Sequence, residues 1–127
     1  MAAIATLLAG QRILLVEDDY LIATDLADEL ENEGAQVIGP AASVNEALRL
    51  IESTDRIDSA VLDINLKGRM VFPVVDALME QDVPFLFLTG YDQVAILAHY
   101  TDAAHYAKPV DPAEIVEALT RIASGTD

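Results

Sequence analysis

The sequence has no cysteine and no long apolar segment, and each absence excludes a class of protein. Without cysteine there is no disulfide, thiol nucleophile or thiolate metal ligand, which is typical of a cytoplasmic protein. No apolar run reaches the roughly 18 residues that a membrane-spanning helix needs. The apolar start, residues 1–8, is short and lacks the basic residues of a signal peptide. We therefore expect a cytoplasmic protein with no membrane partner.

Basic residues are also scarce, since seven lysines and arginines face 22 acidic residues, for a net charge of −15. Such a surface repels nucleic acid, so we expect no DNA or RNA partner. The apolar content of 53% is too high for an acidic disordered chain and sufficient for one core. We predict a single domain over residues 1–127, with an N-terminal extension at 1–11 and a core at 12–124.

Short apolar segments alternate with amphipathic segments along the whole chain. The apolar segments predict five strands, at 12–16, 35–39, 60–64, 83–88 and 103–107. The amphipathic segments predict five helices, at 20–33, after the capping pair Ser43 and Glu46, at 72–81, at 92–99 and after Asp111-Pro112. Five strands that alternate with five helices predict an α/β fold with a parallel sheet covered on both faces.

Polar side chains follow four of the predicted strands, at the point where each strand ends. Glu17 and Asp18 follow the first strand, Asp63 ends the third, Thr89 follows the fourth and Lys108 follows the fifth. Taken singly, they have ordinary explanations as helix caps, turn residues or a surface lysine. Because ligand sites of parallel sheets lie beyond the carboxyl ends of the strands, their joint occurrence predicts one shared site.

The residue types of this site indicate its chemistry. Three carboxylates in one pocket repel one another unless a cation neutralises them. Hard oxygen donors without cysteine or a nearby histidine select Mg²⁺, Mn²⁺ or Ca²⁺ rather than zinc. Lysine and threonine suit phosphate oxygens, and a carboxylate can itself accept a phosphoryl group. The set predicts phosphoryl transfer assisted by Mg²⁺, with Mn²⁺ as a substitute.

The chain resembles the receiver domain of bacterial response regulators over about residues 12–124. The matching motifs are residues 13–19 (ILLVEDD), 61–66 (VLDINL) with Gly68, 88–90 (LTG) and Lys108-Pro109. The resemblance implies a flavodoxin-like (βα)5 fold, a doubly wound parallel sheet of strand order 2-1-3-4-5. It also implies a cis peptide bond before Pro109.

The same resemblance implies residue roles at the site. Asp63 would be the phosphoacceptor and a ligand of Mg²⁺. Asp18 would bind the ion directly, Glu17 mainly through a bound water, and Asn65 through its backbone carbonyl.

By the same resemblance, Thr89 and Lys108 would contact the phosphoryl group. The family usually has Phe or Tyr three residues before the lysine, whereas this chain has His105 followed by Tyr106. Because strand side chains alternate between faces, Tyr106 cannot simply replace a residue at 105. Three alternatives stay open: His105 is the switch residue, the coupling runs another way, or both residues only pack on the edge strand.

Two segments also resemble the FAT GUY subfamily of receivers, residues 84–91 (PFLFLTGY) and 71–78 (VFPVVDAL). The chain departs from that pattern at Leu88, where the motif has Ala, and lacks the prolines expected between Tyr91 and Lys108.

The family implies a sensor histidine kinase or phosphotransferase as phosphoryl donor and a downstream protein whose identity the sequence does not give. We expect a stand-alone receiver, monomeric or weakly dimeric. Its signal would pass through the face of the fourth helix, fifth strand and fifth helix, near Tyr91, His105 and Tyr106.

Two other functions stay open. The chain could be a degenerate receiver that acts as an adaptor without phosphorylation. It could also be a Mg²⁺-dependent phosphohydrolase of the haloacid dehalogenase type, although those enzymes usually have Asp two residues after the nucleophile, where this chain has Asn65.

Overall fold

The computed structural model describes residues 7–90 and 103–125, and its main feature is a five-stranded parallel sheet. The strands of this sheet are β1 (Arg12–Val16), β2 (Gln36–Ala41), β3 (Ser59–Asp63), β6 (Phe85–Thr89) and β7 (His105–Ala107). A separate hairpin of β4 (Asn65–Leu66) and β5 (Arg69–Met70) follows β3. The sheet order β2-β1-β3-β6-β7 corresponds to 2-1-3-4-5 when the hairpin is left out, so the predicted flavodoxin-like fold is confirmed.

The described helices pack on the two faces of the sheet. They are α1 (Tyr20–Asn32), α2 (Val44–Ser53), α3 (Phe72–Glu80) and α4 (Pro112–Ser124). Within residues 7–90 and 103–125, no helix combines the length and apolar character needed to cross a membrane. The helix predicted at 92–99 lies outside the described residues.

The central strands bury side chains on both faces. Leu14 and Leu62 belong to the cluster beneath α2 and α3, whereas Leu15 and Val61 belong to the cluster beneath α1 and α4. All five residues of β3 are buried. Burial on both faces explains why these strands are continuous apolar runs in the sequence rather than alternating ones.

Side-chain caps fix the starts of the helices near the carboxyl edge of the sheet. The Asp19 carboxylate accepts two N–H groups of the first turn of α1, at 3.0 and 3.1 Å. Ser43 Oγ accepts the N–H of Glu46 at 3.1 Å, while Glu46 Oε1 accepts the N–H of Ala42 at 3.0 Å. The predicted capping pattern therefore forms, with Glu46 reaching one residue further back than the usual capping box.

Strand β2 continues two residues beyond its predicted end. It passes through Gly39, which has a φ of +109° and where a β-carbon would lie only 2.8 Å from the Leu15 carbonyl oxygen. The Gly39–Pro40 peptide bond that follows is cis. The extension lets the Ala41 carbonyl accept the N–H of Glu17 at 2.9 Å. This hydrogen bond fixes the backbone of the residue that follows β1.

The described part of the N-terminal extension is packed against α1. Leu8 is fully buried in the cluster that includes Leu26 and Leu30, and its N–H donates to the Glu33 carbonyl at 2.9 Å. Its neighbour Leu7 is 58% exposed. The apolar core thus receives a side chain from before the predicted core boundary at residue 12.

Truncating the buried leucine tests this packing. We expect Leu8→Ala to lower the free energy of unfolding by about 2–4 kcal/mol, because it opens a cavity in the core. Leu7→Ala is the matched control and should change it by less than about 0.5 kcal/mol. Urea denaturation measures both values, and equal effects of the two substitutions would show that the segment is not part of the core.

Candidate functional site

The strand register brings the predicted site residues to one edge of the sheet. Pairing of β3 with β6 aligns Asp63 with Leu88, and pairing of β6 with β7 aligns Thr89 with Ala107, directly before Lys108. Strand β1 lies beside β3 and ends at the same level, where the two acidic residues follow it. Parallel pairing of the strands therefore brings residues from four distant parts of the sequence close together.

The Lys108 ammonium is the centre of the contacts at this edge. Its Nζ lies 3.0 and 3.2 Å from the two carboxylate oxygens of Glu17 and 3.2 Å from Asp63 Oδ2. The backbone N–H of Lys108 donates to the Thr89 carbonyl at 2.9 Å, and the Lys108–Pro109 peptide bond is cis. One side chain thus connects the ends of β1 and β3, while its own backbone is anchored on β6.

The two carboxylates beside Lys108 are almost completely removed from solvent. The side chain of Glu17 has no exposed surface and that of Asp63 is 5% exposed. Burial, followed by the negative charge of Glu17, raises the pKa of Asp63 to about 7, although Lys108 and the N–H of Asn65 act in the opposite direction. Burial by itself lowers the pKa of Lys108, but hydrogen bonds and charges of the two carboxylates outweigh it and raise the pKa above its ordinary value. The positive charge of one lysine therefore does not fully compensate this cluster.

A third carboxylate lies close enough to share a cation with the other two. Carboxylate oxygens of Glu17, Asp18 and Asp63 lie within 4.8 Å of one another. A cavity of about 350 Å³ opens beside them and is lined by Asp18, Asp19, Asp63, Asn65, Lys67, Gly68, Gly90 and Lys108. Clustered carboxylate oxygens with adjoining space for water fit Mg²⁺, which prefers few protein ligands.

Two further residues predicted for the site, Asn65 and Thr89, differ in whether they have a hydrogen-bond partner. Asn65 lines the cavity, and its N–H donates to Asp63 Oδ1 at 3.3 Å. Thr89 is fully buried, and its Oγ1 has no hydrogen-bond partner within the described residues. Because a buried hydroxyl without a partner is unfavourable, the Thr89 hydroxyl is a candidate to bind a ligand oxygen.

The residues predicted for the switch surface lie apart from the carboxylate cluster. His105 is exposed, whereas Tyr106 is half-buried in the cluster beneath α4, and its hydroxyl accepts Arg121 Nη2 at 3.3 Å. Tyr91 lies outside the described residues. The structure thus gives Tyr106 a tertiary contact, and the switch role of each of the three residues stays a prediction.

Sequence reasoning did not predict the β4–β5 hairpin, which brings Lys67 to the cavity. Strands of two residues have no periodicity to detect. The available signal was the Lys67-Gly68 pair, because a glycine at the second position of a two-residue turn is typical of hairpins.

The raised pKa of Asp63 makes the stability of the metal-free protein depend on pH. Between the ordinary pKa of 3.8 and about 7, the folded state holds a proton that the unfolded state has released, so stability falls as pH rises. We expect Asp63→Asn to remove this contribution of Asp63 to the pH dependence of stability. In EDTA, its stability relative to wild type should increase by roughly 2–3 kcal/mol between pH 5 and pH 8. Parallel pH profiles in urea denaturation would contradict the raised pKa.

Comparison with known proteins agrees with this geometry. The sequence matches the family described as response regulator receiver domain over residues 13–120. Transcriptional regulatory protein PdtaR of Mycobacterium tuberculosis is 27% identical over 113 residues, covering 86% of this chain and 55% of PdtaR. Phyllosphere-induced regulator PhyR of Methylorubrum extorquens is 31% identical over 112 residues, covering 86% of this chain and 42% of PhyR.

A solved structure shows the same similarity in three dimensions. The solution structure of SdrG from Sphingomonas melonis Fr1 has a TM-score of 0.76 and 35% identity, and the match covers 88% of this chain and 95% of SdrG. The chain spans about half the length of the curated relatives it matches, which are named as regulators rather than as conventional enzymes. The family match extends over most of the sequence, and the chain therefore belongs to the response regulator receiver domains of two-component signalling.

Proposed function

We propose that this receiver accepts a phosphoryl group on Asp63, in a Mg²⁺-dependent reaction, from a sensor histidine kinase or phosphotransferase in the cytoplasm. The observation that carries the proposal is the 3.2 Å contact between Lys108 Nζ and Asp63 Oδ2 at the edge of an acidic cavity. A carboxylate nucleophile therefore lies beside a fixed positive charge and next to space that a phosphoryl group can enter.

In the proposed reaction, a carboxylate oxygen of Asp63 attacks the phosphorus of the donor. A P–O bond to Asp63 forms as the P–N bond to the donor histidine breaks, and the electron pair stays on the histidine nitrogen. The ammonium of Lys108 favours the ionised, nucleophilic form of Asp63 against the opposing effects of burial and Glu17. The Thr89 hydroxyl, which has no partner within the described residues, would donate a hydrogen bond to a phosphoryl oxygen.

The acidic cluster supplies the ligands for the metal ion. Asp18 and Asp63 would bind Mg²⁺ directly, Glu17 mainly through a water, and Asn65 through its backbone carbonyl. Bound Mg²⁺, or Mn²⁺ in its place, supplies positive charge to the carboxylates and to the phosphoryl oxygens. The 4.8 Å grouping of the three carboxylates supports this ligand set.

Phosphorylation would be read by another protein. It adds up to two negative charges beside Thr89 and Lys108, a local change that can shift a balance between two conformations. The proposed contact face includes β7 and α4, where Tyr106 meets Arg121, together with the helix predicted at 92–99. Because a net charge of −15 repels nucleic acid, we propose a protein rather than a nucleic acid as the downstream partner. The receiver itself would be monomeric or weakly dimeric.

The site geometry disfavours the two alternative functions. A degenerate receiver has no need for a buried carboxylate cluster, an oriented lysine and an unpartnered threonine hydroxyl in one place. A phosphohydrolase of the haloacid dehalogenase type would need a proton-transferring Asp where this chain has the amide of Asn65. The Asn65 side-chain oxygen instead accepts the N–H of Gly68 at 2.8 Å.

Chemical phosphorylation tests the acceptor directly. Incubation with acetyl phosphate and Mg²⁺ should add the mass of one phosphoryl group to the wild-type protein and none to Asp63→Asn. Asp19→Asn is the matched control, because Asp19 lines the same cavity but caps α1, a role that Asn fulfils equally well. Absence of the mass gain in wild type with this donor and with a cognate kinase would refute the proposal, and continuous turnover of phosphate esters would favour the hydrolase.

Metal titration tests the ligand set. We expect Asp18→Ala to weaken Mg²⁺ binding at least roughly tenfold, because it removes a direct ligand. Isothermal titration of the unphosphorylated protein measures the affinity without any phosphoryl donor. An Asp18→Ala variant with wild-type affinity would exclude Asp18 from the metal site.

A further inference from the structure

The sequence has only two lysines, Lys67 and Lys108, and both line the cavity beside Asp63. The chain has only seven basic residues, so the presence of both lysines at one cavity distinguishes this cavity from the rest of the acidic surface. The ammonium of Lys108 is already in contact with Glu17 and Asp63. The exposed side chain of Lys67 has no ion pair or hydrogen bond within the described residues.

The backbone around Lys67 is fixed by the β4–β5 hairpin. Asn65 pairs with Met70, and the side-chain oxygen of Asn65 accepts the N–H of Gly68 at 2.8 Å. Lys67 and Gly68 have φ values of +54° and +89°, as the first and second positions of a type I′ turn require. Asn is preferred over Lys at the first position, because its short polar side chain can form local hydrogen bonds in the left-handed conformation. A residue kept in an unfavourable conformation beside a reaction site points to a role for its side chain.

Arg69, the other basic residue of the hairpin, lies away from the cavity. Arg69 Nη1 donates to Asn45 Oδ1 on α2 at 3.2 Å, and Arg69 does not line the cavity. Lys67 is therefore the basic side chain that adds an uncompensated positive charge to the cavity wall.

We propose that Lys67 is a donor-binding residue that attracts the anionic phosphoryl group of the donor to the cavity. The inference rests on the proposed phosphorylation of Asp63. A donor phosphoryl group is negatively charged, and it approaches a protein of net charge −15 whose cavity wall also carries Asp18 and Asp19. Because two carboxylates already compensate Lys108, Lys67 adds attraction for the approaching donor beyond that of a bound Mg²⁺.

The test compares variants that separate charge from turn geometry. Lys67→Asn removes the charge and retains a residue that the turn prefers, whereas Lys67→Arg retains the charge. Arg56→Gln is the matched control for net charge, because Arg56 lies at the opposite edge of the sheet, where Nη2 donates to the Gly10 carbonyl at 2.9 Å. Phosphorylation rates are measured against acetyl phosphate concentration at saturating Mg²⁺ and low ionic strength.

We expect Lys67→Asn to raise the half-saturating acetyl phosphate concentration about three- to tenfold, with the maximal rate within about twofold of wild type. Lys67→Arg and Arg56→Gln should both resemble wild type. The difference between Lys67→Asn and wild type should shrink at about 0.5 M salt, because salt screens exposed charges.

The outcomes distinguish the two proposals. If wild type is phosphorylated neither by acetyl phosphate nor by a cognate kinase, the proposed function fails and the role of Lys67 fails with it. If wild type is phosphorylated and Lys67→Asn behaves like Arg56→Gln, the role of Lys67 is wrong while the proposed function stands. A lower maximal rate of Lys67→Asn with an unchanged half-saturating concentration would also overturn the role of Lys67, because attraction of the donor changes the half-saturating concentration.

Discussion

The contact of one lysine with two buried carboxylates is the interaction on which the rest of the site depends. The buried carboxylates of Glu17 and Asp63 would repel each other, and the ammonium of Lys108 contacts both of them. The lysine is oriented by its backbone hydrogen bond to Thr89 on β6. The parallel order of β1, β3, β6 and β7 is therefore what allows these charges to coexist.

Lys108 neutralises the negative charge of the carboxylates only in part, which is consistent with the proposed chemistry. One lysine faces three carboxylates, and the pKa of Asp63 stays raised to about 7. In the proposed function, a divalent cation would supply the missing positive charge and a phosphoryl group would supply an acceptor for the Thr89 hydroxyl. The same groups that make the metal-free site unfavourable thus favour binding of a cation and an anion together.

Much of the fold was predictable because its signals are local. Strands buried on both faces appear as continuous apolar runs, and the predicted caps at Ser43 and Asp111 lie next to the helices they begin. The β4–β5 hairpin was missed because two-residue strands have no periodicity, and the role inferred for Lys67 depends on that hairpin. Burial of Leu8 was missed because an apolar residue near a terminus looks the same in sequence whether it is packed or exposed. The pKa of Asp63 depends on distances that no sequence pattern contains.

Among the acidic residues of the cavity, Asp63 is the proposed phosphoacceptor. Peptide mapping by mass spectrometry after Mg²⁺-dependent phosphorylation tests it most directly. The account predicts that the phosphoryl group is found on the peptide that contains Asp63 and is lost when Mg²⁺ is chelated before the reaction. A phosphoryl group on the peptide that contains Asp18 and Asp19, or one that forms equally well without Mg²⁺, would contradict it.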